Sequence, residues 1–212
     1  MIFFVLKKSW CLALLACLFC LTGPAHANQS FIEKNIEKKF EDTFEIKTSL
    51  LRPCEKSLSY DCVRVDVRLQ LDAPIETVWQ VITDYQNAAR FISNLKSSSE
   101  IPLGPNQVQI EQIGKVGWAA MHLEIKTIYK VNLFPLNKKI VSVAIGGDLK
   151  TVSMTTHLKP HPSGGTLLEY SMVTDPVPWA PLSIAEGIVT RQARQSFSDL
   201  TSEILRRKNA KP

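Results

Sequence analysis

The stretch Val63-Arg-Val-Asp-Val-Arg-Leu-Gln-Leu71 alternates without a fault. Val63, Val65, Val67, Leu69 and Leu71 fall on one side, and Arg64, Asp66, Arg68 and Gln70 on the other. This is the two-residue period of a strand with one buried and one wet face. The residues that follow begin a helix. Asp72 can cap it, Pro74 sits where a missing N–H costs little, and Glu76 places a carboxylate near the positive end. Ile75, Val78, Trp79 and Ile82 then recur at helical spacing, and a second short helix is expected to run to Phe91.

Taken together, Asp72-Ala73-Pro74, Val78-Trp79, Val81-Ile82, Asp84-Tyr85 and Phe91 resemble the signature of the START-like superfamily, also called SRPBCC or helix-grip. The resemblance is to its polyketide-cyclase and coenzyme-Q-binding branch. It implies an α+β fold: a curved antiparallel sheet wrapped around a long C-terminal helix, with a cavity between them. It covers about residues 63–207. The matching residues carry no chemistry and describe the container rather than its contents.

The rest of the chain is consistent with that order. Strands are expected at 97–100 (ended by Pro102-Leu-Gly-Pro105), 107–116, 118–133, 139–145, 150–159 and 166–174. Gly114 and Gly117 suggest a turn or bulge, and Gly146-Gly-Asp148 a hairpin. The prolines in Asp175-Pro-Val-Pro-Trp-Ala-Pro181 halt the sheet, because proline cannot donate to a ladder. Residues 182–207 form a long helix striped by Ala185, Val189, Ala193, Phe197, Leu200 and Ile204. Strands in a run followed by one helix argue for a single antiparallel α+β domain. Upstream, residues 28–46 read as an N-terminal helix with Ile32, Ile36, Phe40 and Phe44 at spacing four. Residues 48–60 read as a connector.

The first 27 residues read as an export signal. Lys7 and Lys8 precede an apolar run from Cys11 to Leu21, and Ala25-His-Ala27 is a small-residue cleavage pattern. The run is short for a bilayer span. The expected domains are therefore a signal at 1–27, a helical extension at 28–62 and the START-like domain at 63–208. Cleavage after Ala27 and a periplasmic location are the expectation, with a lipoprotein at Cys17 or an uncleaved anchor as competing readings. Loss of two lysines and no acids lowers the net charge from +5 to +3. That balance, with no basic run interleaved with aromatics, argues against a nucleic-acid partner. Three of the five cysteines lie in the signal, leaving Cys54 and Cys62. Two cysteines close together in an exported chain suggest one disulfide, with two free thiols as the alternative.

Catalytic and metal chemistry is thinly represented. His122 and His157 lie on wet strand faces, and His161 sits between two prolines in a turn. No nucleophile, phosphate-loop or dinucleotide motif is present. No catalytic residue, metal or cofactor is therefore assigned. Glu111 and Glu169 are the strand carboxylates with a chance of facing inward. With Tyr170, they are the candidates for acid–base work in a cyclase-, aromatase- or hydrolase-like enzyme.

The apolar residues say more. Tyr85, Phe91, Trp118, Met121, Leu123, Ile125, Met154, Tyr170, Met172, Trp179, Ile184 and Ile188 are the candidate lining of the cavity that the resemblance implies. Aromatics and methionines with few polar groups suit a lipid, quinone or isoprenoid. The Trp179 segment and the start of the long helix would gate it. The competing reading is that these side chains simply fill a core. The expected partner is a hydrophobic small molecule, held by a monomer in transient contact with a membrane. A third possibility is an envelope interaction module with an apolar patch on the Phe31–Phe44 segment.

Overall fold

A computed structural model describes Phe40, residues 43–52, Cys54, and residues 61–118, 121–149, 152–175 and 182–210. Among these residues eight antiparallel strands form one sheet: β1 (Phe44–Leu51), β2 (Cys62–Leu71), β3 (Leu95–Gly104), β4 (Gln107–Trp118), β5 (Met121–Phe134), β6 (Lys139–Gly147), β7 (Val152–Pro160) and β8 (Thr166–Thr174). Their order across the sheet is β1-β2-β8-β7-β6-β5-β4-β3. Between β2 and β3 lie helix α1 (Ile75–Ile82) and a 3-10 helix (Tyr85–Arg90). The chain closes with α2 (Leu182–Asn209). The curved sheet and its long terminal helix are the expected α+β helix-grip arrangement.

The alternation of β2 holds along its whole length. Val63, Val65, Val67, Leu69 and Leu71 are buried, and they anchor the main core with Leu158, Leu168, Phe197 and Ile204. On the opposite face Arg64 pairs with Asp66 at 3.2 Å. Val78 and Val81 are the buried residues of α1. Asp72, however, is not the N-cap residue. Pro74 occupies the N-cap position and makes no side-chain cap bond. The Asp72 carboxylate instead meets Lys208 at 3.0 Å, tying the end of α2 to the β2–α1 corner. Thr166 reinforces that corner by donating to the Ala73 carbonyl at 2.8 Å.

The N-terminal expectation needs correction. Residues 28–39 lie outside the described residues, but Phe44–Leu51 is a strand rather than the end of a helix and a connector. It pairs with β2 from Phe44↔Leu69 to Leu51↔Cys62. The reason is local. Phe44-Glu-Ile-Lys-Thr-Ser-Leu alternates apolar or β-branched residues with polar ones, and that period belongs to a strand. Phe44 stacks on Phe40 with ring centroids 4.5 Å apart and meets Phe197 of α2 at 6.0 Å. Both Phe40 and Phe44 are buried in the main core, which removes them from any exposed apolar patch.

Two further points concern bulges and strand ends. Gly114 and Gly117 do not interrupt the pairing with β5, which is continuous from Gln107↔Asn132 to Trp118↔Met121. On the β3 side an irregularity does fall at Gly114, where the register shifts between Leu95↔Gly114 and Ser97↔Ile113, and a second shift lies between Pro102 and Gly104. That strand also runs through Pro102, which the sheet edge tolerates because no further strand needs its N–H. The tight turns fall where expected. Gly147 and Gly165 have φ of +105° and +79°, and an added Cβ would strike the Lys126 and Leu71 carbonyls, respectively.

Cys54 and Cys62 form a disulfide with Cα atoms 5.0 Å apart. It fixes the first residue of β2 to the segment leaving β1. Closing so short a loop is worth about 2–3 kcal/mol by the chain-entropy relation.

At the far end of the fold, Glu203 sits 8 % exposed on α2. Arg206 and Arg207 contact it at 2.7 and 2.6 Å, and Arg207 also reaches Asp84 at 2.6 Å. The hydrogen bond from Arg206, seconded by Arg207, outweighs burial and holds the Glu203 carboxyl at about 2, against an ordinary 4.5. Burial works to raise the Asp84 carboxyl, but Arg207 and Asn87 more than reverse it. Carboxyls depressed by folding stabilise the native state above their unfolded values, and that gain disappears as they protonate. The denaturant midpoint should therefore hold down to about pH 4.5 and fall as pH drops toward about 2. Glu203→Gln should flatten that decline. An equally steep decline in the variant would place the acid sensitivity elsewhere.

Candidate functional site

A cavity of about 420 Å³ lies between the inner sheet face, the α1 and 3-10 segment, and α2. Each wall follows from an alternation or a helical stripe. From β8, Leu168, Tyr170 and Met172 face in, while Glu169 between them faces out. From β5, Ile125 and Tyr129 line the space, and from β7 Met154 and Thr156 do so. Helix α2 contributes Ile188, Val189, Ala193, Phe197 and Leu200. Tyr85, Ala88 and Phe91 close the side nearest the 3-10 helix. At one end Ala185 and Ile188 pack onto Val116 and Ile125, pinning α2 to the sheet.

Seven of the sequence candidates therefore meet in one place: Tyr85, Phe91, Ile125, Met154, Tyr170, Met172 and Ile188. Leu123 and Ile184 do not line this space, being 46 % and 37 % exposed. Leu123 lies two residues before Ile125 on the same strand and pairs with Val116, yet its side chain stays largely exposed. Ile184 is the neighbour of the fully buried Ala185, and a helix turns adjacent residues by about 100°. Trp179 lies outside the described residues. So do the side chains of Trp118 and Met121, whose backbones end β4 and start β5.

Sequence reading missed Tyr129, Ser142 and Thr156 on the sheet, and Asn94, Gln192 and Ser196 at the helix flank. Tyr129 had a usable signal, because it shares the strand period of Ile125. The polar trio had none. Asn94 donates to Gln192 Oε1 at 2.7 Å and to Ser196 Oγ at 2.9 Å. Next to it, the Ser93 amide and hydroxyl bond the Asp199 carboxylate at 2.7 and 2.6 Å. These contacts fasten the loop before β3 to α2 along one wall.

The carboxylate candidates are removed from the cavity. Glu111 lies on the outer face of β4 and pairs with Lys126 at 2.8 Å. Glu169 lies on the outer face of β8 between Lys159 and Arg68. The bond from Lys159 holds its carboxyl below the usual range. The alternation that sends Leu168 and Tyr170 inward sends Glu169 outward. Tyr170 remains inside, its ring edge-on to Phe197 at 5.2 Å. Burial pushes its phenol, and those of Tyr85 and Tyr129, above the ordinary 10.0. All three stay protonated at neutral pH. They can donate hydrogen bonds but do not serve as bases there. His161 is occupied in the β7–β8 turn by Gln70 at 3.1 Å and Ser163 at 2.7 Å. Among the described residues, no helix is long and apolar enough to cross a membrane.

A curved antiparallel sheet gripping one long helix around an apolar cavity defines a helix-grip domain. Residues 63–204 match the family described as "Polyketide cyclase / dehydrase and lipid transport", and the chain belongs to that family. Solved structures share the fold. The Zhui aromatase/cyclase from Streptomyces sp. R1128 superposes with a TM-score of 0.61 at 14 % identity, covering 70 % of this chain and 97 % of its own. A STAR-related lipid transfer protein from Xanthomonas axonopodis gives 0.58 at 13 % identity, with 74 % and 98 % covered. A START superfamily protein from Mycobacterium smegmatis gives 0.58 at 14 % identity, with 68 % and 97 % covered. No curated protein matches the chain by sequence.

Proposed function

We propose that this protein is an exported carrier that encloses a hydrophobic small molecule, a lipid, quinone or isoprenoid, without transforming it. The observation that carries the reading is the cavity itself: aliphatic and aromatic side chains from sheet and helix surround about 420 Å³. That volume lies in the range of small-molecule sites. Burying roughly 300 Å² of apolar ligand surface would contribute about 7 kcal/mol. After the cost of association, micromolar affinity is the scale to expect.

Export rests on the N-terminal pattern, with cleavage after Ala27 and delivery to the periplasm. The disulfide supports it, since such bonds persist in oxidising compartments. The carrier acts as a monomer that meets the membrane transiently to load and unload. Ligand binding belongs to residues 63–208, with residues 28–62 as an N-terminal extension that includes β1.

The test is displacement of a solvent-sensitive naphthalene dye by quinones, isoprenoids and phospholipids. Saturable displacement at micromolar concentration is the expected result. Absence of dye binding and of any displacement would overturn the reading.

One observation favours a second reading, an enzyme acting in the same cavity. Tyr170 places a protonated phenol against whatever the cavity holds. The fate of the ligand separates the two: a carrier returns it unchanged, and an enzyme returns a product of different mass.

A further inference from the structure

Three tyrosines open into the cavity, and among the described residues two of them have no protein partner for their hydroxyls. Tyr85, Tyr129 and Tyr170 all line it. Protein encloses each ring, yet each keeps part of its surface because the cavity reaches it. Tyr129 has the Thr127 hydroxyl beside it. Among the described residues, no group hydrogen-bonds the hydroxyl of Tyr85 or of Tyr170. A phenol is a good donor and a weak acceptor. Left without an acceptor in an apolar enclosure, its O–H carries an unrecovered desolvation cost.

The charges around the cavity limit what can satisfy these donors. Lys115 is the one cationic residue in the described lining, and it is exposed at the rim. Arg207 is committed to Asp84 and Glu203. Phosphate or carboxylate carried to the depth of Tyr170 would meet no counter-charge among the described residues. A buried charge of that kind is too costly to hold. Hydroxyls of Ser142 and Thr156 add neutral polar groups on the same wall.

We propose that the cavity selects an uncharged, mainly apolar ligand bearing a carbonyl oxygen, which accepts hydrogen bonds from the phenols of Tyr170 and Tyr85. This deepens the carrier reading and rests on it. It gives the site a means of choosing among hydrophobic molecules of similar size, which apolar walls alone discriminate weakly.

The experiment uses three probes of nearly one shape: 2-acetylnaphthalene, 2-ethylnaphthalene and 2-naphthoate. Each is titrated by calorimetry into the protein purified from cells expressing the full chain, and into Tyr85→Phe, Tyr170→Phe and the double variant. The wild-type protein should bind the ketone and the hydrocarbon, and the carboxylate at least tenfold more weakly than the ketone. The double variant should weaken the ketone about five- to tenfold while changing the hydrocarbon less than twofold. Hydrocarbon binding also reports that the variants are folded, because phenylalanine keeps the ring that meets Phe197.

Equal losses for ketone and hydrocarbon, or no loss for the ketone, would overturn the carbonyl proposal while the carrier reading stands. So would preferred binding of the carboxylate. Failure of both neutral probes to bind the wild-type protein would overturn both.

Discussion

Ala193→Phe should lower the affinity for a hydrophobic ligand about a hundredfold or more, with no loss of stability. Ala193 lies on the face of α2 that lines the cavity, one helical turn before Phe197. A phenyl ring there reaches into the cavity that Ala193 lines. Overpacking a dense core costs about 1–3 kcal/mol, but filling a void commonly stabilises. The ring takes the volume the ligand needs, so binding falls while the melting temperature stays level or rises. Titration of the variant with the naphthalene dye, alongside thermal unfolding, reads both quantities. Wild-type affinity in a stable variant would put the ligand somewhere other than this cavity.

Ile204→Ala should destabilise the fold by about 2–5 kcal/mol, as large-to-small changes at packed sites do. Ile204 is fully buried, where α2 meets the β2 valines. The removed atoms lose their burial, and the surrounding sheet and helix relax only in part. Ile184→Ala on the same helix provides the contrast. Its side chain is 37 % exposed, and the change should stay within about 0.5 kcal/mol. Urea unfolding of both variants measures the difference. A similar small effect at both positions would mean that the helix is not clamped to the sheet through Ile204.

What could be read from sequence was governed by period. Val63–Leu71 has one interpretation, and its buried set appears in the structure as expected. The same logic located Tyr170 and Met172 and should have located Tyr129. Phe44 shows how a period can mislead. It is the last residue of a spacing-four series that includes Phe40 and the first of an alternating series that includes Ile46. The helical series points to a helix, whereas in the fold the alternating series prevails and pairs with β2. Period also fails at its ends. Leu123 shares a face with Ile125, but it stays exposed where Ile125 is packed. Nothing local distinguishes the two positions. Asp72 fails differently: it has the chemistry of a cap, but Lys208, distant in sequence, claims its carboxylate. The polar clasp of Asn94, Gln192 and Ser196 joins a loop to a helix about a hundred residues away, and no local pattern encodes it.

Native mass spectrometry of the protein purified from its native cells, beside Ala193→Phe prepared in the same way, reads directly whether this cavity holds a ligand. The wild-type protein is expected to carry an added mass, released on activation as a neutral lipid-like molecule, and the variant to lack it. A wild-type protein that remains bare under conditions that preserve other lipid complexes, or a variant that carries the same added mass, would contradict the carrier reading.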